Sequence, residues 1–290
     1  MSSFQTTREQ YSSALKRFLD SPKDFEVITS VARAGETPRP PSAAHTEAVL
    51  YVLDSSFNPP TNAHVHIAGS AIVENWSQPV WGKPSRVLLL LATQNADKPS
   101  KPASFEDRLI MMQLCAQDLI KSISAFVDAI NYPVIDIGVT KKPYFVDKAT
   151  AIENAEVYPP SLQQVHLTGY DTLIRIFNTK YYPPEHTLAP LEPFLSKHKL
   201  RVTTRPDDEW GSKAEQGAYL ADLAQGGRES EGGKREWAKQ IELVRGSMTE
   251  KRPVSSTKAR EATQANTADL GWLVPDSVRA FVLSEKPYSE

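Results

Sequence analysis

The chain has 290 residues, 40% hydrophobic and 23% charged, with a formal net charge of -2. These fractions are typical of a globular protein with a sizeable core, and the small net charge provides no general attraction to nucleic acid or to an anionic membrane. No apolar run approaches the ~20 residues that span a bilayer, and the N-terminus lacks the apolar segment of a secretory signal. We therefore expect a cytoplasmic or nuclear protein that binds neither nucleic acid nor membrane.

The only cysteine is Cys115. A single cysteine excludes an internal disulfide and a zinc site built from several thiolates. It lies in the apolar helical run MMQLCAQDLI, which favours a buried, inert thiol over a nucleophile.

Residues 1–45 are predicted to form an N-terminal helical extension with a Pro-rich linker. Between Thr7 and Leu19 the large apolar residues recur at helical spacing. The stretch Gly35–Ala44, GETPRPPSAA, is too stiff and polar to be core. We expect the extension to pack on the main domain, with a surface for a protein partner as the alternative.

Residues 46–290 are predicted to form the main domain, in which apolar runs alternate with helical patterns and tight hairpin signals are missing. This alternation indicates an α/β protein with a doubly wound parallel sheet. The predicted strands are Val49–Leu53, Arg86–Ala92, Ser124–Asp128, Val134–Ile137, Gln163–Thr168, Lys199–Thr204 and Gln240–Val244. The predicted helices are Asn62–Asn75, Phe105–Lys121 with Ser104 as its cap, one ending near Asn154, Gly169–Phe177, one after Val254 and one from Pro275.

The stretch Asp207–Arg235 carries alternating charges and two Gly-Gly pairs. It is predicted to be a solvated helix and a flexible insertion. Its run GGRESEGGKR does not complete the phosphate-binding pattern G-x-x-x-x-G-K-[ST], because Arg235 stands where a hydroxyl is required.

The first functional motif follows the strand Val49–Leu53 and reads SSFNPPTNAH. Two serines, Phe57 and a Pro-Pro pair cannot continue a central strand, so the chain must turn before the next helix. Such a loop brings backbone amides and a helix N-terminus to the carboxyl edge of the sheet, where phosphate binds readily. Thr61 and His64 are three residues apart and can face the same point. An ordinary structural turn with a structural histidine is the alternative.

The second motif is PVSSTKAR, from Pro253 to Arg260. Its hydroxyl residues Ser255, Ser256 and Thr257 are strong helix caps, and Lys258 and Arg260 add cations at the same helix end. The alternative is a capped helix whose basic residues are merely solvated.

Together the two motifs resemble the GSFNPPTxxH and ISSTKxR signatures of nicotinamide mononucleotide adenylyltransferases, members of the nucleotidylyltransferase superfamily. They lie about two hundred residues apart in the expected order, and the resemblance spans roughly residues 48–288. It implies a Rossmann-like nucleotidylyltransferase fold and, given the departures below, a divergent eukaryotic branch of the family.

Further segments add site residues by the same resemblance. TGYDTL is similar to the family's GxDxL, which implies that Gly169 and Asp171 bind nucleotide. KPYFVDK is similar to SYTxDTL, which helps to seat the pyridine nucleotide. Lys98, in the loop after the second strand, and Arg205, at the end of VTTR, match a phosphate-facing lysine and an arginine of the family.

The chain also departs from the family pattern. Ser55 stands in place of the first glycine, and Asp54 puts a carboxylate beside a phosphate-rich site. The tryptophan that stacks on nicotinamide is not found between residues 131 and 150, so Tyr144 or Phe145 is expected to stack instead.

The reaction implied by the resemblance joins AMP from ATP to nicotinamide or nicotinate mononucleotide, giving NAD or its deamido form and pyrophosphate. His64 is expected on the α- or β-phosphate, and Thr61 with the amides near Ser55, Ser56 and Phe57 would orient the triphosphate. Arg260, Ser256 and Thr257 would hold its β/γ end, helped by Lys98 and Lys258. Mg²⁺ would arrive with ATP, since the sequence offers no dedicated carboxylate cage.

Two alternatives stay open at the level of sequence. One is a cytidylyltransferase, or an adenylyltransferase for another acceptor. The other is a nucleotide-binding regulatory protein that has lost transfer activity. Two departures from the family pattern support it, namely Ser55 and the missing tryptophan. The sequence contains no indication of oligomeric state.

Overall fold

The structure is a computed structural model that describes residues 4–43, 49–76, 86–94, 103–127, 132–204, 210–246, 254–265 and 267–289. The strands are β1 (Phe25–Val31), β2 (Val49–Asp54), β3 (Arg86–Ala92), β4 (Val134–Thr140), β5 (Gln163–Gly169), β6 (Lys199–Thr203) and β7 (Ile241–Val244). The helices are α1 (Gln5–Asp20), α2 (Asn62–Trp76), α3 (Phe105–Ile123), α4 (Phe145–Asn154), α5 (Tyr170–Ile176), α6 (Glu192–Leu195), α7 (Lys213–Gln225), α8 (Ser256–Ala265), α9 (Leu270–Leu273) and α10 (Asp276–Glu285).

The seven strands form one sheet in the order β1-β4-β3-β2-β5-β6-β7. Strands β2 to β7 are parallel, and β1 runs antiparallel to β4 at the edge. The strand order reverses between β2 and β5, because β3 and β4 extend to one side and β6 and β7 to the other. The predicted doubly wound fold is confirmed, and ligands of such sheets bind at the carboxyl ends of the strands where the order reverses.

Helices cover both faces of the sheet, which explains why its central strands are nearly continuous apolar runs. Strand β3 is buried at all seven positions. Alternate residues of β2 face opposite layers: Leu53 packs with α1, α2, α3 and α10, whereas Val52 packs against α4. The core therefore has two layers separated by the sheet.

One predicted strand, Ser124–Asp128, is wrong. Residues 124–126 form a turn after α3, and Phe126 is 62% exposed; residue 128 lies outside the described residues. The short apolar run SAFV resembles a strand by composition, but it only connects α3 to β4. The other predicted strands and helices are confirmed, with ends that differ by a few residues.

The sequence prediction missed β1. Its seven residues have only their two ends buried, as an edge strand does. A buried polar cluster joins this strand to the rest of the sheet: Asp136 of β4 accepts hydrogen bonds from Ser30 Oγ (2.6 Å), Arg86 Nε (2.6 Å) and Tyr158 Oη (2.9 Å). The predicted helix α1 is confirmed, and Phe18 is fully buried. A domain boundary near residue 45 stays a prediction.

The helix predicted within 207–235 is confirmed as α7. Ser212 and Glu215 form a capping box at its start, and Gly226 ends it with a φ of 96°. Most residues of α7 are exposed, as predicted for a solvated helix, and Leu223 anchors the helix by burying its side chain in a hydrophobic cluster with β6 and β7. The flexibility predicted for 207–235 stays a prediction.

Cys115 is buried in α3, and burial raises the pKa of its thiol to about 12. The thiol is therefore protonated at neutral pH, as expected for an inert cysteine. Within the described ranges, none of the helices has the length and apolarity needed to cross a bilayer.

Candidate functional site

Residues 55–61 connect β2 to α2 at the carboxyl edge of the sheet, beside β5. The Ser55 N–H donates to the Leu90 carbonyl of β3 (3.2 Å), which fixes the start of the loop. Phe57 adopts a left-handed φ of 45°, and its side chain is fully buried. Burial of this ring offsets a backbone strain of about 1–3 kcal/mol, so the loop is held in one shape.

The His64 ring bridges Thr61 and Ser55. Its Nδ1 accepts the Thr61 N–H (2.9 Å) and lies 2.8 Å from Thr61 Oγ1. Because Nδ1 accepts an amide proton, Nε2 carries the ring hydrogen and donates it to Ser55 Oγ (2.9 Å). Desolvation lowers the pKa of His64 to about 4, so the imidazole is neutral at pH 7.

Helix α8 docks its N-terminus onto this same loop. Ser256 Oγ donates to the Pro59 carbonyl (2.8 Å), and Arg260 Nη1 donates to the Asn58 carbonyl (2.7 Å). Thr257 Oγ1 accepts from Arg260 Nη2 (3.2 Å), and Ser255 Oγ accepts the Lys258 N–H (3.2 Å) as the helix cap. The structure thus brings together two motifs that are about two hundred residues apart in the sequence.

The start of α5 contributes at the neighbouring strand end. A Cβ on Gly169 would lie 2.6 Å from Asp171 Oδ1, so only glycine lets the Asp171 carboxylate fold back over this turn. The Thr168 hydroxyl at the end of β5 is buried and makes no hydrogen bond within the part of the chain that the structure describes.

The two aromatic residues expected to stack on a pyridine ring begin α4. Tyr144 is its N-cap residue and is half-buried. Phe145 packs edge-to-face on the rings of His166 (4.9 Å between centroids) and Phe194 (4.9 Å). Lys98 and Arg205 lie outside the described residues, and their roles stay predictions.

The sequence analysis missed Arg108 of α3. Its Nε donates to the Ser56 carbonyl (2.7 Å), and the residue is 1% exposed. Desolvation lowers the pKa of Arg108 to about 10, so the guanidinium stays charged at pH 7 behind the loop. The available signal was an arginine next to Leu109 on the apolar face of a predicted helix.

Lys148 of α4 was missed as well. Its Nζ lies 2.5 Å from Asp54 Oδ2, and the two side chains are only 10% and 22% exposed. The carboxylate that the sequence puts beside the loop therefore has a cationic partner. In the described residues, no group of three or more His, Cys, Asp or Glu side chains could hold a metal ion.

Comparison with known proteins identifies one curated relative in Schizosaccharomyces pombe, described as "Putative nicotinamide mononucleotide adenylyltransferase". It is 32% identical over 240 residues, which cover 82% of this chain and 86% of the relative. No family model matches the chain.

Among the solved structures that are similar to this chain, two examples both have low TM-scores. Nicotinic acid mononucleotide adenylyltransferase of Plasmodium falciparum, complexed with NaAD, has a TM-score of 0.48 and 12% identity over 83% of this chain and 98% of that one. "Putative Nicotinate-nucleotide Adenylyltransferase" of Vibrio parahaemolyticus has a TM-score of 0.40 and 14% identity over 84% of this chain and 96% of that one.

Proposed function

The chain belongs to the nicotinamide mononucleotide adenylyltransferase family, and from that premise we propose that it joins AMP from ATP to nicotinamide or nicotinate mononucleotide. The products are NAD, or its deamido form, and pyrophosphate. Membership of the family makes the chain a nucleotidyltransferase, and the acceptor and the residue roles are our proposal. The main observation behind this proposal is that Arg260 and Ser256 hydrogen-bond to the loop 55–61, which also contacts His64. This contact brings the two motifs proposed to bind phosphate into one cradle.

The acceptor's 5′-phosphate attacks the α-phosphorus of ATP in line. This phosphate is ionised at neutral pH, so the reaction requires alignment and charge stabilisation but no general base. A neutral His64, with its pKa lowered to about 4, serves as a hydrogen-bond donor through Nε2–H. A phosphate oxygen of ATP then replaces Ser55 Oγ as the acceptor of that hydrogen bond.

The leaving pyrophosphate is held from the α8 side. The Arg260 guanidinium uses one donor on the Asn58 carbonyl and has further N–H groups for the β- and γ-phosphates. Thr257 and Lys258, both exposed at the helix N-terminus, complete this side. Arg108 holds the Ser56 carbonyl from behind and so orients the loop amides. Mg²⁺ enters as the counter-ion of the substrate ATP.

The same proposal assigns the remaining residues to the nucleotides. Asp171 beside Gly169 contacts ATP at the start of α5, and Tyr144 or Phe145 lies against the pyridine ring. Lys98 and Arg205 add cations to the phosphate side.

The experiment is an assay of pyrophosphate release from Mg-ATP, with and without nicotinamide mononucleotide or nicotinate mononucleotide. We expect release that depends on the acceptor and falls about 10²- to 10³-fold in Arg260→Ala, as for removal of one donor to a developing charge. Arg17→Ala is the matched control, because the Arg17 side chain is 68% exposed on α1 and lies 3.9 Å from its partner Glu26.

Three results would contradict the proposal. The first is release with CTP but not with ATP, and the second is no release with either mononucleotide. The third is equal loss of release in Arg17→Ala and Arg260→Ala. Circular dichroism of each variant separates loss of the cradle from loss of the fold.

A further inference from the structure

The last residue of β2, Asp54, has a carboxylate in an unusual position for a nucleotide site. It immediately precedes Ser55, whose hydroxyl contacts His64 Nε2 at 2.9 Å. Neighbouring Cα atoms are about 3.8 Å apart, so Asp54 lies directly next to Ser55 at the strand end where the triphosphate is proposed to bind. A negative charge here would repel the triphosphate of ATP.

The structure provides the counter-charge from a different layer. Asp54 follows Val52 by two residues and so points to the same face of the sheet, where α4 packs. Lys148, on the buried side of α4, meets it with Nζ 2.5 Å from Oδ2. With 10% and 22% exposure, the two side chains are shielded from solvent far more than a surface pair, so their charges are screened little.

Resting on the function proposed above, we propose that Lys148 is a positioning residue: its ammonium holds and neutralises Asp54, so that the triphosphate can bind beside that carboxylate. Two unit negative charges about 8 Å apart, which is about twice the spacing of neighbouring Cα atoms, repel each other at an effective dielectric constant of about 20–40 by enough to weaken binding about 5- to 30-fold. The ion pair then sets the affinity of the cradle for ATP without contacting the nucleotide.

The test is a double-mutant cycle on the full chain, with Mg-ATP affinity measured by calorimetry for wild type, Lys148→Met, Asp54→Asn and Asp54→Asn/Lys148→Met. We expect Lys148→Met to bind ATP about 5- to 30-fold more weakly. The double variant should return to within about threefold of wild type, because it carries neither charge. Asp54→Asn alone should bind ATP more tightly, since it leaves an uncompensated ammonium. A merely structural pair predicts no such gain in affinity.

Lys234→Met is the matched control. Lys234 forms an ion pair with Glu192 at 2.8 Å, but those side chains are 44% and 42% exposed. An exposed pair contributes little, so this variant should bind ATP within about twofold of wild type. Thermal unfolding of all five proteins verifies that each is folded, and Asp54→Asn retains its diagnostic value if Lys148→Met does not fold.

Two results would overturn the proposal. If the double variant binds Mg-ATP as weakly as Lys148→Met does, the lysine contacts ATP directly. If Asp54→Asn does not tighten binding, the carboxylate does not oppose the triphosphate. Because the measurement needs neither acceptor nor turnover, absent pyrophosphate release with an intact cycle would refute the proposed function alone.

Discussion

Deletion of residues 1–43 is expected to prevent folding of the main domain. These residues bury five large apolar side chains, each at most 7% exposed, and β1 forms the edge of the sheet. At about 1.5–3 kcal/mol per buried side chain, their loss removes about 8–15 kcal/mol as an upper estimate. That equals the whole stability of a typical domain, about 5–15 kcal/mol. The five side chains are those of Tyr11, Leu15, Phe18, Phe25 and Val31.

A point variant tests the same reasoning within a folded protein. Phe18→Ala should lower the free energy of unfolding by about 3–5 kcal/mol, because the ring is fully buried and leaves a cavity. Leu19→Ala is the matched control on the next residue, which is 47% exposed, and it should change stability by less than about 1 kcal/mol. Urea unfolding followed by circular dichroism measures both variants.

The reasoning fails if the fragment 44–290 is soluble and unfolds cooperatively within about 1 kcal/mol of the full chain. It also fails if Phe18→Ala and Leu19→Ala are equally stable. Either result would mean that α1 and β1 lie on a domain that is complete without them, in which case the extension would be available to a partner.

Three further predictions concern individual side chains. His64→Ala should reduce transfer about 10²- to 10³-fold. Because the pKa of His64 is lowered to about 4, a plot of wild-type kcat/KM against pH should have no inflection from this residue near pH 6.5. Below pH 6.5 the unfolded chain binds a proton at this histidine that the folded chain does not bind. The free energy of unfolding should therefore decrease as the pH falls toward 4. Asp136→Asn should lower the free energy of unfolding, measured in urea, by about 3–5 kcal/mol, because Arg86 stays buried without the carboxylate that it pairs with. Asp24→Asn, which removes the exposed ion pair with Lys142, should lower it by less than about 1 kcal/mol. Cys115 should react with a thiol reagent at pH 8 only after unfolding, because its thiol has a pKa of about 12.

Elements whose signal is local could be predicted from the sequence. Strand β3 has the predicted bounds Arg86–Ala92, because a fully buried strand needs an uninterrupted apolar run. The strand, loop and helix around SSFNPPTNAH follow from the Pro-Pro pair and the apolar spacing after it. The order of strands and helices likewise indicated the doubly wound sheet.

Partnerships between distant side chains could not be predicted in this way. An arginine in α3 and a lysine in α4 look like ordinary helix residues until folding brings Arg108 to the Ser56 carbonyl and Lys148 to Asp54. Strand β1 was missed for the same reason: its pattern is weak, and its pairing partner β4 lies more than 100 residues away.

The chemistry available to this protein follows from its amino-acid sequence: a hydroxyl-bearing loop with a histidine in the first turn of the next helix, a helix with a cationic N-terminal turn, and the apolar runs of a parallel sheet. How these parts meet depends on the tertiary structure. Sequence patterns report the preferences of neighbouring residues, whereas the Arg260 hydrogen bond to Asn58 and the counter-charge on Asp54 depend on how the helices pack against the two faces of the sheet.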